Sequence, residues 1–211
     1  MHRRLLQGLH PSEGARVSAS DLGELRVVIA GIGGQGVIFA TRLLTYAAIR
    51  LGLQAIAAES HGMSQRGGSV VSHLKVGGIQ SPLIRRGTAD VVLGLDRNEA
   101  LRSLVYLKAG GAAFINSDDG LSSEVERQLK RRGTHAHWLP ASQTAIDLGS
   151  VTVANVVLIG FASAHPSFPF PQESLQETLR VDTPRGQDLN LQALDRGREI
   201  ALGELARASG G

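Results

Sequence analysis

The residues with the most chemistry in this chain crowd into two short stretches. Glu59-Ser60-His61-Gly62-Met63-Ser64-Gln65-Arg66-Gly67-Gly68-Ser69 sets an acid, an imidazole, an amide, a guanidinium, three hydroxyls and three glycines within eleven positions. A carboxylate and an imidazole can move protons, so Glu59, His61 and Arg66 are the candidates for a direct catalytic role. Arg66 offers a forked donor to a carboxylate or phosphate, and glycines bring backbone N–H groups close to a ligand or a neighbouring chain. Glu59, His61, Gly62, Ser64, Gln65, Arg66, Gly67, Gly68 and Ser69 therefore form a candidate partner-binding or active-site loop, set against the plainer reading of a solvated surface connection. The second stretch, Gly31-Ile32-Gly33-Gly34-Gln35-Gly36, has the Gly-x-Gly-x-x-Gly spacing of a tight strand-to-helix turn. Such a turn aims helix N–H groups at an anion, which makes Gly31, Gly33, Gly34, Gln35 and Gly36 candidate cofactor or partner contacts. Glu59 ends the following strand, where a ribose-binding acid would stand, although somewhat beyond the usual spacing of ~20 residues. A turn shaped only for packing has the same sequence.

These groups need a scaffold. Leu25–Ala30 is short, apolar and ended by glycine, the pattern of a buried parallel strand. Ala40, Leu43, Leu44, Ala47, Ala48 and Leu51 recur at helical spacing, and Gly52 is a C-cap. Leu53–Ala58 is a second strand, parallel to the first if the crossover is right-handed. Ser69–Val76 is a third, with Gly77-Gly78 as a turn and Ile79–Ile84 as its hairpin partner. Ala89–Leu95 returns to the buried-strand pattern, Asp96 caps a helix carrying Ala100, Leu101, Leu104, Val105 and Leu107 inward, and Gly110-Gly111 ends it before a strand at Ala112–Ile115. A polar helix at Leu121–Arg132, a strand at His135–Leu139, a helical turn at Pro140–Leu148, a buried helix at Val151–Ala164 holding Asn155, and helices at Pro171–Leu179 and Asn190–Ala206 complete the reading. The loops after the first two strands share the carboxyl edge of the sheet, so the two motifs should lie side by side. The expected fold is α/β: one Rossmann-like domain, a mostly parallel sheet flanked by helices, with a β-hairpin inserted after the second strand. Residues 25–206 form the domain; residues 1–24 read as a disordered N-terminal extension and 207–211 as a flexible C-terminus.

Composition narrows the function. With 211 residues the chain holds one well-buried domain. Its 22 Lys and Arg barely outnumber 19 Asp and Glu, a dispersed excess that argues against nucleic acid as a partner. It has no Cys, so it supplies no thiolate to an iron–sulfur cluster and no disulfide. No apolar run reaches the length of a membrane span and no secretory h-region opens the chain, so a cytoplasmic protein is expected.

The glycine turn followed by Glu59-x-His61-Gly62-Met63-Ser64-Gln65-Arg66-Gly67-Gly68-Ser69 resembles the gamma subunits or domains of 2-oxoacid:ferredoxin oxidoreductases, most of all their indolepyruvate-type branch. The likeness continues through Ser81-Pro82-Leu83-Ile84, Ala89–Leu93, Glu99-Ala100-Leu101-Arg102 and Asn155–Gly160, and covers about Leu25 to Gly203. It implies a subunit that binds no cofactor alone and is inactive alone. Thiamine diphosphate, Mg²⁺, iron–sulfur clusters and coenzyme A are then expected on a large catalytic partner that passes electrons to ferredoxin. The reaction implied is oxidative decarboxylation of a 2-oxoacid, with an aryl pyruvate preferred, to the acyl-CoA. The two loops would pack on that partner near its active-site or coenzyme A channel. Without the partner, exposed apolar surface favours a homodimer. The competing readings are an independent NAD(P)-binding protein with Glu59 as ribose anchor, and a stand-alone scaffold.

Other residues invite lesser readings. His135 and His137 alternate on a strand like metal ligands, yet lack a third ligand nearby, so a partly exposed strand end is expected and no metal site. His73 belongs to the sheet, Asp118-Asp119-Gly120 to a turn with a helix cap, and Trp138, Phe161, Phe168 and Phe170 to core or interface. Arg85-Arg86 reads as a solvated edge-strand pair, with steering of an anionic partner as the alternative.

Overall fold

The computed structural model describes residues 24–61, 67–78, 81–183 and 186–209. Six strands form one sheet in the order β2-β3-β1-β4-β5-β6, where β1 is Leu25–Ile32, β2 Ala55–His61, β3 Ser69–Val76, β4 Ala89–Gly94, β5 Leu107–Asn116 and β6 His135–Leu139. Strands β1, β4, β5 and β6 pair in parallel, whereas β3 is antiparallel to both β1 and β2. The mostly parallel α/β architecture expected from the sequence is the one observed.

Two local expectations are corrected. β2 does run in the same direction as β1, but β3 is inserted between them, with Ile29 opposite Ser72 and Ser72 opposite Glu59. The hairpin partner of β3 is accordingly β2 rather than Ile79–Ile84. Residues 81–84 form no strand, and 79 and 80 lie outside the described residues. The reason is register: pairing Ser69–Val76 with β1 buries Val70, Leu74 and Val76 on one face and His73 on the other, which an edge hairpin would leave wet. The helix capped by Asp96 is also shorter than its pattern suggests. It ends at Ser103, Leu104–Tyr106 is a 3-10 turn leaving Val105 exposed, and β5 already begins at Leu107, before Gly110-Gly111.

Helices cover both faces. On one face lie α1 (Val37–Arg50), α4 (Ala141–Asp147), α5 (Ala154–Ser163), α6 (Gln172–Asp182) and α7 (Gln187–Ser209). α1 turns Val37, Ala40, Leu43, Leu44, Ala47 and Ala48 onto Val27, Ile29, Leu74, Val91, Leu93 and Phe114. α5 and α7 cross at contact distance because each supplies a glycine: a Cβ on Gly160 would stand 2.0 Å from the Leu194 carbonyl, and one on Gly197 2.0 Å from that of Val157. α7 runs beyond its periodic pattern at both ends. On the opposite face, α2 (Arg97–Ser103) and α3 (Ser123–Arg131) cover Val28, Val92, Ala113 and Ile115. Ile84 is buried there too, its N–H donating to Nδ1 of His73 (3.2 Å), so His73 is a sheet residue that holds the β3–β4 connection down. Arg85 and Arg86 are exposed in that connection and belong to no strand; the edges of the sheet are β2 and β6. Phe161, Phe168 and Phe170 are core, and Ser122 rather than Asp118 or Asp119 caps α3.

Candidate functional site at the carboxyl edge

β1 delivers the glycine turn to the carboxyl edge, and the turn closes on itself. Gln35 Oε1 accepts from the Ile32 N–H (2.8 Å) while the Gln35 N–H donates to the Ile32 carbonyl (3.0 Å). Gly36 then caps α1 with φ +82°, a conformation that suits glycine. At Gly31 and Gly36 the space of the missing Cβ is taken by this chain's own atoms. At Gly31 the neighbours are Gln35, Val37 and Leu95, and at Gly36 it is Asn155 Nδ2, 2.0 Å from where a Cβ would be; Gly33 has room for a Cβ, in ordinary contact with the backbone of Gly67 and Gly68 at 3.6 Å and beyond. Asn155 is buried, its Nδ2 donates to the Gly36 carbonyl (3.2 Å) and its Oδ1 accepts from the Val156 N–H (2.8 Å), so it ties the start of α5 to the start of α1.

The second motif meets the first, as the topology predicts. β2 ends at His61 and β3 begins at Ser69, and Ser69 lies opposite Ile32 in the β1–β3 pairing. The Gly33 N–H donates to the Gly68 carbonyl (2.9 Å), joining the two glycine-rich segments backbone to backbone. Gly62, Met63, Ser64, Gln65 and Arg66 lie outside the described residues. Glu59 is exposed on the edge strand. With β3 between, it stands two strand spacings, ~10 Å, from β1. In a dinucleotide fold the ribose acid ends the strand next to the glycine turn, so the inserted β3 displaces Glu59 from that place.

The stem of the loop has a support that sequence reading missed. Ser69 Oγ donates to Glu99 Oε2 (2.6 Å), and Glu99 Oε1 accepts from Arg102. Asp96-x-x-Glu99 has the spacing of a capping box, a signal that would send Glu99 back to the Asp96 N–H. Asp96 does cap α2, accepting from Asn98 and Glu99, but the Glu99 carboxylate points across to β3 instead. Asn116, at the end of β5, is another such residue: its side chain donates to the Leu95 carbonyl and to Ser142 Oγ and accepts from the Ser142 N–H.

Two clefts flank the glycine turn. One, of about 470 Å³, lies between Gly33-Gly34, the first turn of α1 with Arg42, and the stem Gly67–Val70. The other, of about 180 Å³, opens over Gln35, Asn116, Ser142 and Asn155. Among the described residues the larger cleft is lined mostly by apolar side chains (Val37, Ile38, Phe39 and Val70) and glycine backbone, with the guanidinium of Arg42 at its side, and the smaller by neutral polar side chains. Among the described residues no group of three His, Asp or Glu side chains could hold a metal ion. His137 stacks on Phe114 (5.4 Å) and lies 4.1 Å from the ring of His165, which is buried with Nε2 lacking a hydrogen-bond partner. Burial, and then the neighbouring His137, push His165 down to about 4; burial, and then His135, lower His137. The pair is thus core packing.

Comparison with known proteins decides the family. The profile described as pyruvate ferredoxin/flavodoxin oxidoreductase matches residues 26–200. The chain belongs to this family. It is 36% identical over 194 residues to indolepyruvate oxidoreductase subunit IorB of Pyrococcus horikoshii, covering 84% of this chain and 96% of that one. It is 30% identical over 177 residues to 2-oxoglutarate synthase subunit KorC of Methanothermobacter thermautotrophicus, covering 82% and 93%. Its fold matches the crystal structure of a keto/oxoacid ferredoxin oxidoreductase gamma subunit from Geobacter sulfurreducens with a TM-score of 0.66 at 27% identity, over 85% of this chain and 99% of that one. The matching family region takes in both glycine-rich motifs and β3, the strand inserted between β1 and β2.

Proposed function

We propose that this family member is the cofactor-free small subunit of a cytoplasmic, thiamine diphosphate- and iron–sulfur-dependent 2-oxoacid:ferredoxin oxidoreductase. Its preferred 2-oxoacid is an aryl pyruvate, indolepyruvate first. The whole complex decarboxylates the oxoacid, transfers the acyl group to coenzyme A and passes the two electrons released to ferredoxin. This chain has no Cys with which to hold a cluster, so the clusters belong to the large subunit. Its own part is to present the carboxyl edge. The observation that carries the reading is the Gly33–Gly68 hydrogen bond, which joins the glycine turn to the Gly67–Ser69 end of the 59–69 loop. That surface packs on the catalytic subunit beside the coenzyme A channel, with Arg66 as the forked donor to a partner carboxylate or a coenzyme A phosphate. Gly31 and Gly36, two of the three glycines that would admit a pyrophosphate, are closed off by this chain's own atoms, which favours docking over nucleotide binding.

The test is co-purification of the tagged chain from its own cells. The expected result is a brown complex with a larger, Cys-rich subunit that reduces a dye when given indolepyruvate and coenzyme A. A colourless chain that comes down alone overturns the reading. Within that complex, Arg66→Ala should lower assembly or activity at least about tenfold while the isolated chain stays folded. Isolated, the chain should elute as a homodimer, its docking surface being uncovered. Calorimetry at millimolar NAD tests the competing nucleotide-binding reading, for which heat lost in Glu59→Ala would be the signature.

A further inference from the structure

We propose that Glu99 is the positioning residue of the stem Gly67–Val70 that closes the 59–69 loop: from a helix thirty positions beyond Ser69 it fixes where that stem meets the glycine turn. The inference rests on the docking role given to that loop. Glu99 is 5% exposed, and burying a carboxylate is costly unless its oxygens are paired. Both are: one accepts from Ser69 Oγ, the other from the guanidinium of Arg102, whose side chain is 73% exposed at the surface. Ser69 is the first residue of β3 and follows directly on Gly68, the acceptor of the Gly33 N–H. A continuous line of polar contacts therefore runs from surface Arg102 through Glu99 and Ser69 to the junction of the two motifs. Gly67, with φ +75°, and Gly68 have no side chains with which to hold themselves, so the stem takes its position from its neighbours. On this view Glu99 touches no substrate and acts only through Ser69.

The experiment is amide hydrogen exchange on the full chain, paired with calorimetric titration of the purified large subunit. In Glu99→Ala and in Ser69→Ala, amides of residues 67–70 should exchange about tenfold faster while those of β5 and β6 keep their protection. Glu99→Gln keeps an oxygen for Ser69 and should restore most of the protection, a rescue that simple loss of core packing does not give. Should Glu99→Ala fail to fold, Ser69→Ala carries the test alone. Unchanged exchange at residues 67–70 in Ser69→Ala overturns the proposal. Faster exchange with a matching, about tenfold, loss of affinity for the large subunit supports both the anchor and the docking reading. Faster exchange with unaltered affinity leaves Glu99 as the anchor and overturns the docking role of the loop.

Discussion

The two edges of the sheet make opposite use of their space. The amino edge holds a cleft of about 450 Å³ between Glu24, Arg26, Lys75, Ser81, Leu83, Arg85 and Thr88, as large as the cleft beside the glycine turn and far richer in charge. Part of the charge in and beside that cleft is paired. Arg26 pairs with Glu24, Lys108 with Asp90, and Asp90 also accepts from the Arg26 N–H (2.7 Å). The carboxyl edge has little formal charge and instead a set of backbone groups and glycines converging from four elements. Charge and volume alone would choose the amino edge; the docking role proposed for the carboxyl edge rests instead on the convergence of separate elements there.

The comparison breaks most readily at Gly36. Gly36→Ala places a methyl on Asn155 Nδ2 and demands φ +82° of an alanine, so the chain should lose about 3 kcal/mol of stability by denaturant titration. If stability is retained, the interlock of α1 and α5 is looser than its geometry. Asn155→Ala, which leaves the Gly36 carbonyl without its side-chain donor and removes the cap on Val156, should cost about 1–2 kcal/mol in the same titration.

Acid probes what lies beneath both edges. The described histidines with lowered proton affinity, His73, His137 and His165, all sit in or against the core, each disfavoured first by burial. His165 stays neutral in the folded chain down to about 4, whereas in the unfolded chain it takes a proton near 6.5. The unfolded state binds more protons in that window, so stability is full above about 6.5 and falls as the pH drops towards 4. His165→Phe should flatten that slope in melting temperature against pH; an unchanged slope would assign it to other groups. The smallest effects belong to the amino edge. Lys108→Ala and Arg26→Ala break surface pairs, should cost under about 1 kcal/mol each, and should leave association with the large subunit unaltered. A loss of association there would reverse the comparison.

The sequence was most readable where one periodicity ruled. β1, α1, β4, β6 and α5 follow from apolar spacing, and the adjacency of the two motifs follows from the rule that loops after parallel strands share an edge. What escaped was strand order. Ser69–Val76 has the local pattern of a strand but nothing in it names β1 and β2 as its neighbours; that is decided by which register buries Leu74 and Val76. The candidate site divides the same way. Gly31, Gly33 and Gly36 were legible as a turn, while their neighbours Leu95, Gly68 and Asn155 come from distant positions. Glu99 was hidden by a capping-box spacing that gives no hint of Ser69.

The insertion of β3 has one more consequence. Because β2 and β3 are antiparallel neighbours, the chain passes from one to the other as a hairpin connection rather than a crossover. Such a connection can gain or lose residues without shifting the register of the strands below it, at a closure cost of only about 0.6 kcal/mol for each doubling of length. Insertion and deletion at this one point can therefore reshape the face proposed to meet the partner, while β1, the glycine turn and the core beneath stay as they are.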